Sequence, residues 1–213
     1  TGKTVAFCIP MIEILSKNEN MTALIMTPTR ELARQVLGVV NQLLGKSNTI
    51  RSACLIGGEA MGKQLSQLRK GPRIIVGTPG RINDHLESKT LDLMDCGYLV
   101  LDETDRMLDM GFHEDIVKIM SYMPQKRQNL MFSATMPSKI KELADKILVQ
   151  PEEIKLAVSK PPEKVLQAAY MVYFKQKIPL IKELLEEKKL ESILIFSSTK
   201  KNARAVCADL IDN

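Results

Sequence analysis

The chain has 213 residues, 45% of them hydrophobic and 26% charged, with a formal charge of +5, two histidines and no tryptophan. That composition supports a sizeable core; no stretch approaches the ~18 apolar residues of a membrane span, and the start does not resemble a signal peptide. Cys8, Cys54, Cys96 and Cys207 form no CxxC pair, which points to reduced thiols in a cytoplasmic protein rather than a disulfide frame or zinc site.

The chain opens on Thr1-Gly2-Lys3-Thr4, without a methionine or a preceding strand, and ends within a helical pattern. It reads as a fragment of a longer protein. Gly2-Lys3-Thr4 running into Val5-Ala6-Phe7 has the form of the end of a phosphate-binding loop and the helix that follows it. There, backbone N–H groups cradle phosphate, the lysine reaches the β/γ oxygens and the threonine hydroxyl binds Mg2+. The first half of that pattern is absent, so a plain helix N-terminus also accounts for these residues.

Short apolar runs then alternate with helical periodicity. Strands are expected at 23–26 (ALIM), 53–56 (ACLI), 73–76 (RIIV), 98–101 (YLVL) and 129–132 (NLMF), with helices at 31–44, 62–68 and 140–148. Near-continuous apolar strands separated by helices predict a doubly wound α/β domain with a parallel sheet covered on both faces. Ligands of such sheets bind at the carboxyl ends of the strands.

Those ends carry the informative residues. Pro28-Thr29-Arg30 follows the first strand, Gly57-Gly58 the second and Thr78-Pro79-Gly80-Arg81 the third. Exposed N–H groups, hydroxyls and guanidinium groups suit a phosphodiester backbone, and paired glycines let one approach closely. Each segment alone also fits an ordinary turn or helix cap. The fourth strand ends in Asp102-Glu103-Thr104-Asp105, three carboxylates in four residues. Adjacent carboxylates repel unless a cation compensates. In a Mg2+-nucleotide site, Asp102 would hold the metal through its waters and Glu103 would orient or deprotonate the attacking water. The other reading is acidic capping of the next helix, which suits Thr104 and Asp105. Ser133 and Thr135 end the fifth strand beside this cluster; their hydroxyls either bond to Asp105 or Glu103 or cap a helix ahead of Pro137.

After Pro151 the texture changes. Lys160-Pro161-Pro162-Glu163 is a stiff polar break, followed by an expected strand at 168–174, helix at 179–189, strand at 192–196 and helix at 200–211. The expected boundaries are a first domain at 1–156, a linker at 157–166 and the start of a second domain at 167–213.

Residues 99–112 (LVLDETDRMLDMGF) resemble the second motif of DEAD-box ATP-dependent RNA helicases, with Thr104 where that family usually has alanine. Residues 28–33 (PTRELA), Gly57-Gly58, residues 78–81 (TPGR) and 133–135 (SAT) match further motifs in the family's order, and residues 193–199 resemble the strand and loop that open its second domain. The resemblance implies a RecA-like domain and the beginning of another. It implies ATP and Mg2+ as cofactors, with Thr1, Gly2, Lys3 and Thr4 at the nucleotide, Thr4 and Asp102 at the metal, and Lys3, Asp102 and Glu103 as catalytic residues. It implies RNA along Pro28, Thr29, Arg30, Gly57, Gly58, Thr78, Pro79, Gly80 and Arg81, with Asp105, Ser133 and Thr135 coupling nucleotide state to domain closure. The aromatic content of 4% agrees with backbone recognition rather than base stacking. Relative to the family, the chain lacks the adenine-reading segment, the first half of the phosphate loop and the later motifs that carry an arginine finger; alone, it is not expected to complete an ATPase cycle. Two alternatives stay open: a non-catalytic RNA-binding protein built on a helicase domain, and another P-loop ATPase such as a DNA helicase or nucleotide kinase.

Overall fold

Five runs of β-branched and aliphatic residues, each too short to be a helix, line up side by side because helices cover both faces of the sheet they make. The computed structural model describes residues 2–45, 49–155, 165–187 and 192–211. Its strands are β1 (Thr22–Met26), β2 (Ser52–Leu55), β3 (Ile74–Gly77), β4 (Cys96–Leu101) and β5 (Gln128–Met131). All pair in parallel, in the order β2-β3-β1-β4-β5, so the first strand lies at the centre. The chain winds outward from β1 to β2, returns through β3, and crosses to β4 and β5 on the other side. Such a reversal opens a crevice at the carboxyl ends beside the central strand.

The helices are α1 (Gly2–Lys17), α2 (Arg30–Leu44), α3 (Met61–Leu68), α4 (Pro79–Glu87), α5 (Thr104–Asp109), α6 (His113–Ser121) and α7 (Ser138–Ile147). Strand residues alternate between two cores. Ala23 and Ile25 pack with Phe7, Met11, Val36 and Val40 of α1 and α2. Leu24 and Met26 pack with Ile82, Met107, Ile116 and Leu143 of α4 to α7. The doubly wound domain expected from the sequence is therefore present, with strand ends within two residues of the expected ones.

The helices α4 and α6 lie outside the segments that periodicity marked. In α4, Pro79 and Gly80 resemble turn residues, but proline is well suited to the first helical position because its missing N–H and fixed φ cost nothing there. Helices of nine residues owe their stability to packing more than to propensity. Here α4 lies against α6, and Asn83 Nδ2 donates to Asp115 Oδ1 at 2.7 Å.

The chain divides into two compact units, Thr1–Glu153 and Ile154–Asn213. In the second, the described residues form a 3-10 turn (Phe174–Gln176), α8 (Lys177–Glu187) and α9 (Lys200–Ile211). The strands expected at 168–174 and 192–196 do not form among the described residues. Two short parallel segments cannot satisfy their outer backbone groups or cover both faces without further strands and helices; Leu194 and Phe196 stay exposed. Thr1, most of the expected linker (157–164) and the expected helix end at 188–189 lie outside the described residues. No helix among the described residues is long and apolar enough to cross a membrane.

Candidate functional site

Asp102 is the first residue beyond β4, and its N–H donates to the Met26 carbonyl of β1 at 3.0 Å, which fixes it at the crevice. It is 6% exposed. Burial raises its carboxyl above the ordinary aspartate range, and neighbouring Glu103 adds to the rise. The Glu103 N–H, donating to Asp102 Oδ1 at 3.0 Å, and the charge of Lys3 both oppose it. The Lys3 charge thus acts on the Asp102 carboxyl, and the same carboxylate acts on Cys8 further along α1. The start of α1 and the end of β4 form one locale, with Thr4 buried on the inner side of the helix.

Glu103 occupies the left-handed region, φ 50 and ψ 52. That conformation costs a non-glycine residue about 1 kcal/mol or more and marks functional sites often. It turns the side chain out of the strand direction, half exposed, with Oε2 3.4 Å from Arg106 Nη1. Thr104 is buried and its N–H donates to the Phe132 carbonyl at 2.9 Å, tying the start of α5 to the end of β5. Asp105 then reaches the segment after β5. Its Oδ2 accepts from the N–H groups of Ala134 (3.2 Å) and Thr135 (3.0 Å) and from the Thr135 hydroxyl (3.0 Å). Burial pushes its carboxyl up, but the hydrogen bonds, led by the Thr135 hydroxyl, win and hold it below the usual range. Ser133 donates its hydroxyl to the Thr135 carbonyl at 2.6 Å, shaping the turn around the carboxylate.

The three glycine- and threonine-rich strand ends meet. Pro28, Thr29, Arg30, Gly57, Thr78, Gly80 and Arg81 line a single cleft of about 530 Å3. Thr29 caps α2, its hydroxyl accepting from the Leu32 N–H at 3.2 Å. Thr78 precedes α4 at its N-cap position without a side-chain capping bond, and Pro79 is buried as the first residue of the helix. Two helix N-termini therefore open on the cleft, each a source of unpaired N–H groups and partial positive charge. Gly58, at φ +77, lies against the Arg30 guanidinium, where any Cβ would collide with Arg30 Nη1. Arg81 turns largely inward: its Nη1 donates to the Glu59 carbonyl at 3.0 Å, and its Nε lies 3.1 Å from Asp84 Oδ2 without the alignment of a hydrogen bond. Sequence reasoning missed Met110 and Phe112, which form an apolar wall of this cleft. It also missed Glu59, whose carboxylate pairs with Arg34 at 3.0 Å and Lys63 at 3.9 Å. The signals that could have found them were the position of Met110 and Phe112 at the end of the 99–112 motif and that of Glu59 directly after the paired glycines.

No cluster of three or more His, Cys, Asp or Glu side chains suited to a metal exists among the described residues. The buried Asp102 carboxylate and the Thr4 hydroxyl are hard oxygen donors that fit Mg2+, which is commonly held by one or two protein oxygens together with phosphates and waters. Thr4 and Asp102 would supply those oxygens, and a cation there would favour the charged carboxylate that burial disfavours.

Comparison with known proteins bears on this geometry. The sequence pattern of the DEAD/DEAH box helicases matches residues 1–143. The DEAD-box ATP-dependent RNA helicase RhpA of Helicobacter pylori is 41% identical over 204 residues, 95% of this chain and 41% of that protein. CshA of Bacillus licheniformis, of the same description, is 39% identical over 203 residues, 94% of this chain and 42% of that protein. The crystal structure of a DEAD box protein from Methanococcus jannaschii superposes with a TM-score of 0.69 at 37% identity, covering all of this chain and 57% of that one. This chain thus spans about two fifths of the length of the curated relatives it matches.

Proposed function

The chain belongs to the DEAD/DEAH box helicase family, and from that premise we propose that it forms part of an ATP-dependent RNA helicase, binding ATP and Mg2+ around α1 and β4 and an RNA backbone along the cleft. The observation that carries this reading is the meeting of three separate strand ends in one cleft beneath two helix N-termini. A nucleotide kinase has no need of such a track. Backbone N–H groups, the Thr29 and Thr78 segments and the Arg30 guanidinium offer donors and positive charge, which suits phosphate and sugar contacts.

Lys3 and the start of α1 bind and orient the triphosphate. Thr4 and Asp102 would hold Mg2+, which supplies charge neutralisation to the phosphates when bound. Glu103, turned outward by its left-handed backbone, accepts a proton from the attacking water at its carboxylate. Asp105 gathers the 133–135 turn against α5, so a change around the acidic motif reaches the end of β5 directly. A cytoplasmic setting agrees with thiols kept reduced; burial pushes Cys8 up to about 12 and Cys54 and Cys96 up to about 11.

The test is RNA-stimulated ATP hydrolysis by the full-length protein. Glu103→Gln is expected to keep nucleotide affinity and lower turnover by about a hundredfold or more, the usual size for a lost general base. Equal turnover in variant and wild type would reject the role given to Glu103. Stimulation by DNA alone would favour a DNA helicase, and RNA binding with no nucleotide dependence would favour a non-catalytic RNA-binding protein.

A further inference from the structure

The Gly57-Gly58 segment has no side chains with which to hold its place over the cleft, yet the carbonyls on either side of it are both gripped from α4. Beyond it, Arg81 Nη1 donates to the Glu59 carbonyl at 3.0 Å. Before it the grip is relayed. Gln64 of α3 donates from Nε2 to the Ile56 carbonyl at 2.8 Å, and its Oε1 lies 3.1 Å from His85 Nε2. Arg81 and His85 stand one turn apart on one face of α4. Gln64 and His85 are both 0% exposed, so no water competes for these bonds.

The proton positions follow from the partners. Gln64 turns its amide nitrogen to a carbonyl, so its oxygen faces the ring and accepts; His85 Nε2 therefore carries hydrogen. His85 Nδ1 lies 2.8 Å from Thr90 Oγ1, and the same hydroxyl also has the His85 carbonyl in reach at 3.1 Å; with Nε2 protonated in the neutral ring, Nδ1 is the acceptor and the closer partner of that one hydroxyl proton. Burial first, then the Arg81 charge, holds the imidazole below its usual range against the opposite pull of Asp84, so the ring is neutral at neutral pH.

We propose that His85 is a positioning residue for nucleic-acid binding: its Nε2–H fixes Gln64, Gln64 fixes the carbonyl that enters the double-glycine segment, and α4 thereby holds both ends of that segment over the cleft. This role rests on reading the cleft as an RNA-backbone site. It explains why a histidine and a glutamine, neither of which lines the cleft, are fully buried. In this arrangement α4 serves twice, presenting its N-terminus to the ligand and setting the height of the neighbouring loop.

The experiment uses the full-length protein with His85→Leu, Gln64→Met and His85→Gln, the last retaining an amide N–H in place of Nε2–H. Three quantities are read: affinity for a labelled single-stranded RNA, affinity for a fluorescent ADP, and amide hydrogen exchange at residues 57–59. His85→Leu and Gln64→Met are expected to weaken RNA binding about five- to tenfold, the scale of one lost hydrogen bond, with ADP affinity unchanged and exchange at 57–59 accelerated. His85→Gln is expected to recover most of both effects. The nitrogen-15 signature of the wild-type ring is expected to be the Nε2–H tautomer. An Nδ1–H ring, or folded variants with unchanged loop exchange and unchanged RNA affinity, would overturn the role. If His85→Leu does not fold, Gln64→Met carries the same two readouts. Failure of the wild type to bind RNA would overturn the reading of the cleft, while exchange at 57–59 would still report whether His85 positions the loop.

Discussion

Asp102 stands against the stability of its own fold. Its carboxyl is buried beside Glu103 and its pKa is raised in the folded state, so between the unfolded value near 3.8 and the raised folded value the native state binds the extra proton. Above that window the ionised carboxylate costs stability, and below it the cost is gone. Asp102→Asn keeps an oxygen for the Glu103 N–H and removes the charge. The variant is expected to melt at a higher temperature than wild type at neutral pH, with the difference shrinking to nothing as pH falls below the unfolded value. Thermal denaturation of both proteins across pH checks this; a gain that persists unchanged in acid would show that charge burial is not its cause. Asp105 has the opposite sign. Its lowered pKa contributes stability above the unfolded value that is lost as pH falls through the folded one. Two carboxylates three residues apart thus act with opposite sign, one destabilising because its charge is buried and the other stabilising through internal hydrogen bonds.

At the scale of the element, what counts is how closely the strands and helices approach. Gly77 ends β3 where a Cβ would collide with the backbone carbonyl of Leu55 on β2 and crowd Ile82 of α4. The clash is with main chain and cannot be relieved by a rotamer. Gly77→Ala is expected to cost about 2 kcal/mol or more, on the scale of overpacking a core. Gly38, on the exposed side of α2, has nothing within 4 Å of its virtual Cβ. Gly38→Ala is expected to gain about 0.5–1 kcal/mol from helix propensity alone. Urea unfolding of the two variants separates a glycine kept for close approach from one that is merely tolerated. The close packing at Gly77 matters to the site because it sets the distance between the strand ends from which the double glycine and α4 depart.

At the scale of the whole molecule the two units differ in kind. Thr1–Glu153 owns a five-stranded sheet and two apolar layers. Among the described residues of Ile154–Asn213, none is buried. A segment that buries so little apolar surface cannot offset its ordering entropy. Residues 1–153 expressed alone are therefore expected to keep one cooperative thermal transition close to that of the 213-residue chain, whereas residues 154–213 alone are expected to show none. Circular dichroism melts decide between this and a first unit that depends on the second. If RNA binds the first unit through phosphates, log affinity should also fall linearly with log salt concentration.

Much of this was legible beforehand, and the reason is local chemistry. A four-residue aliphatic run such as residues 23–26 declares a strand by itself, and the alternation of such runs with helical patterns declares a parallel sheet. Motif order along residues 28–135 put the expected site residues at successive strand ends, and the carboxyl ends of parallel strands all lie on one edge. Sequence alone could not say that Thr78-Pro79-Gly80-Arg81 opens a helix rather than a turn, since α4 is held by its contact with α6. Nor could it say that Arg81 faces inward, that Glu103 is left-handed, or that His85 meets Gln64 from twenty-one residues away. Periodicity and composition are properties of neighbours in the chain. Burial, backbone handedness and the pairing of distant polar groups are fixed only once the sheet has closed, because each is set by atoms that the sequence keeps far apart.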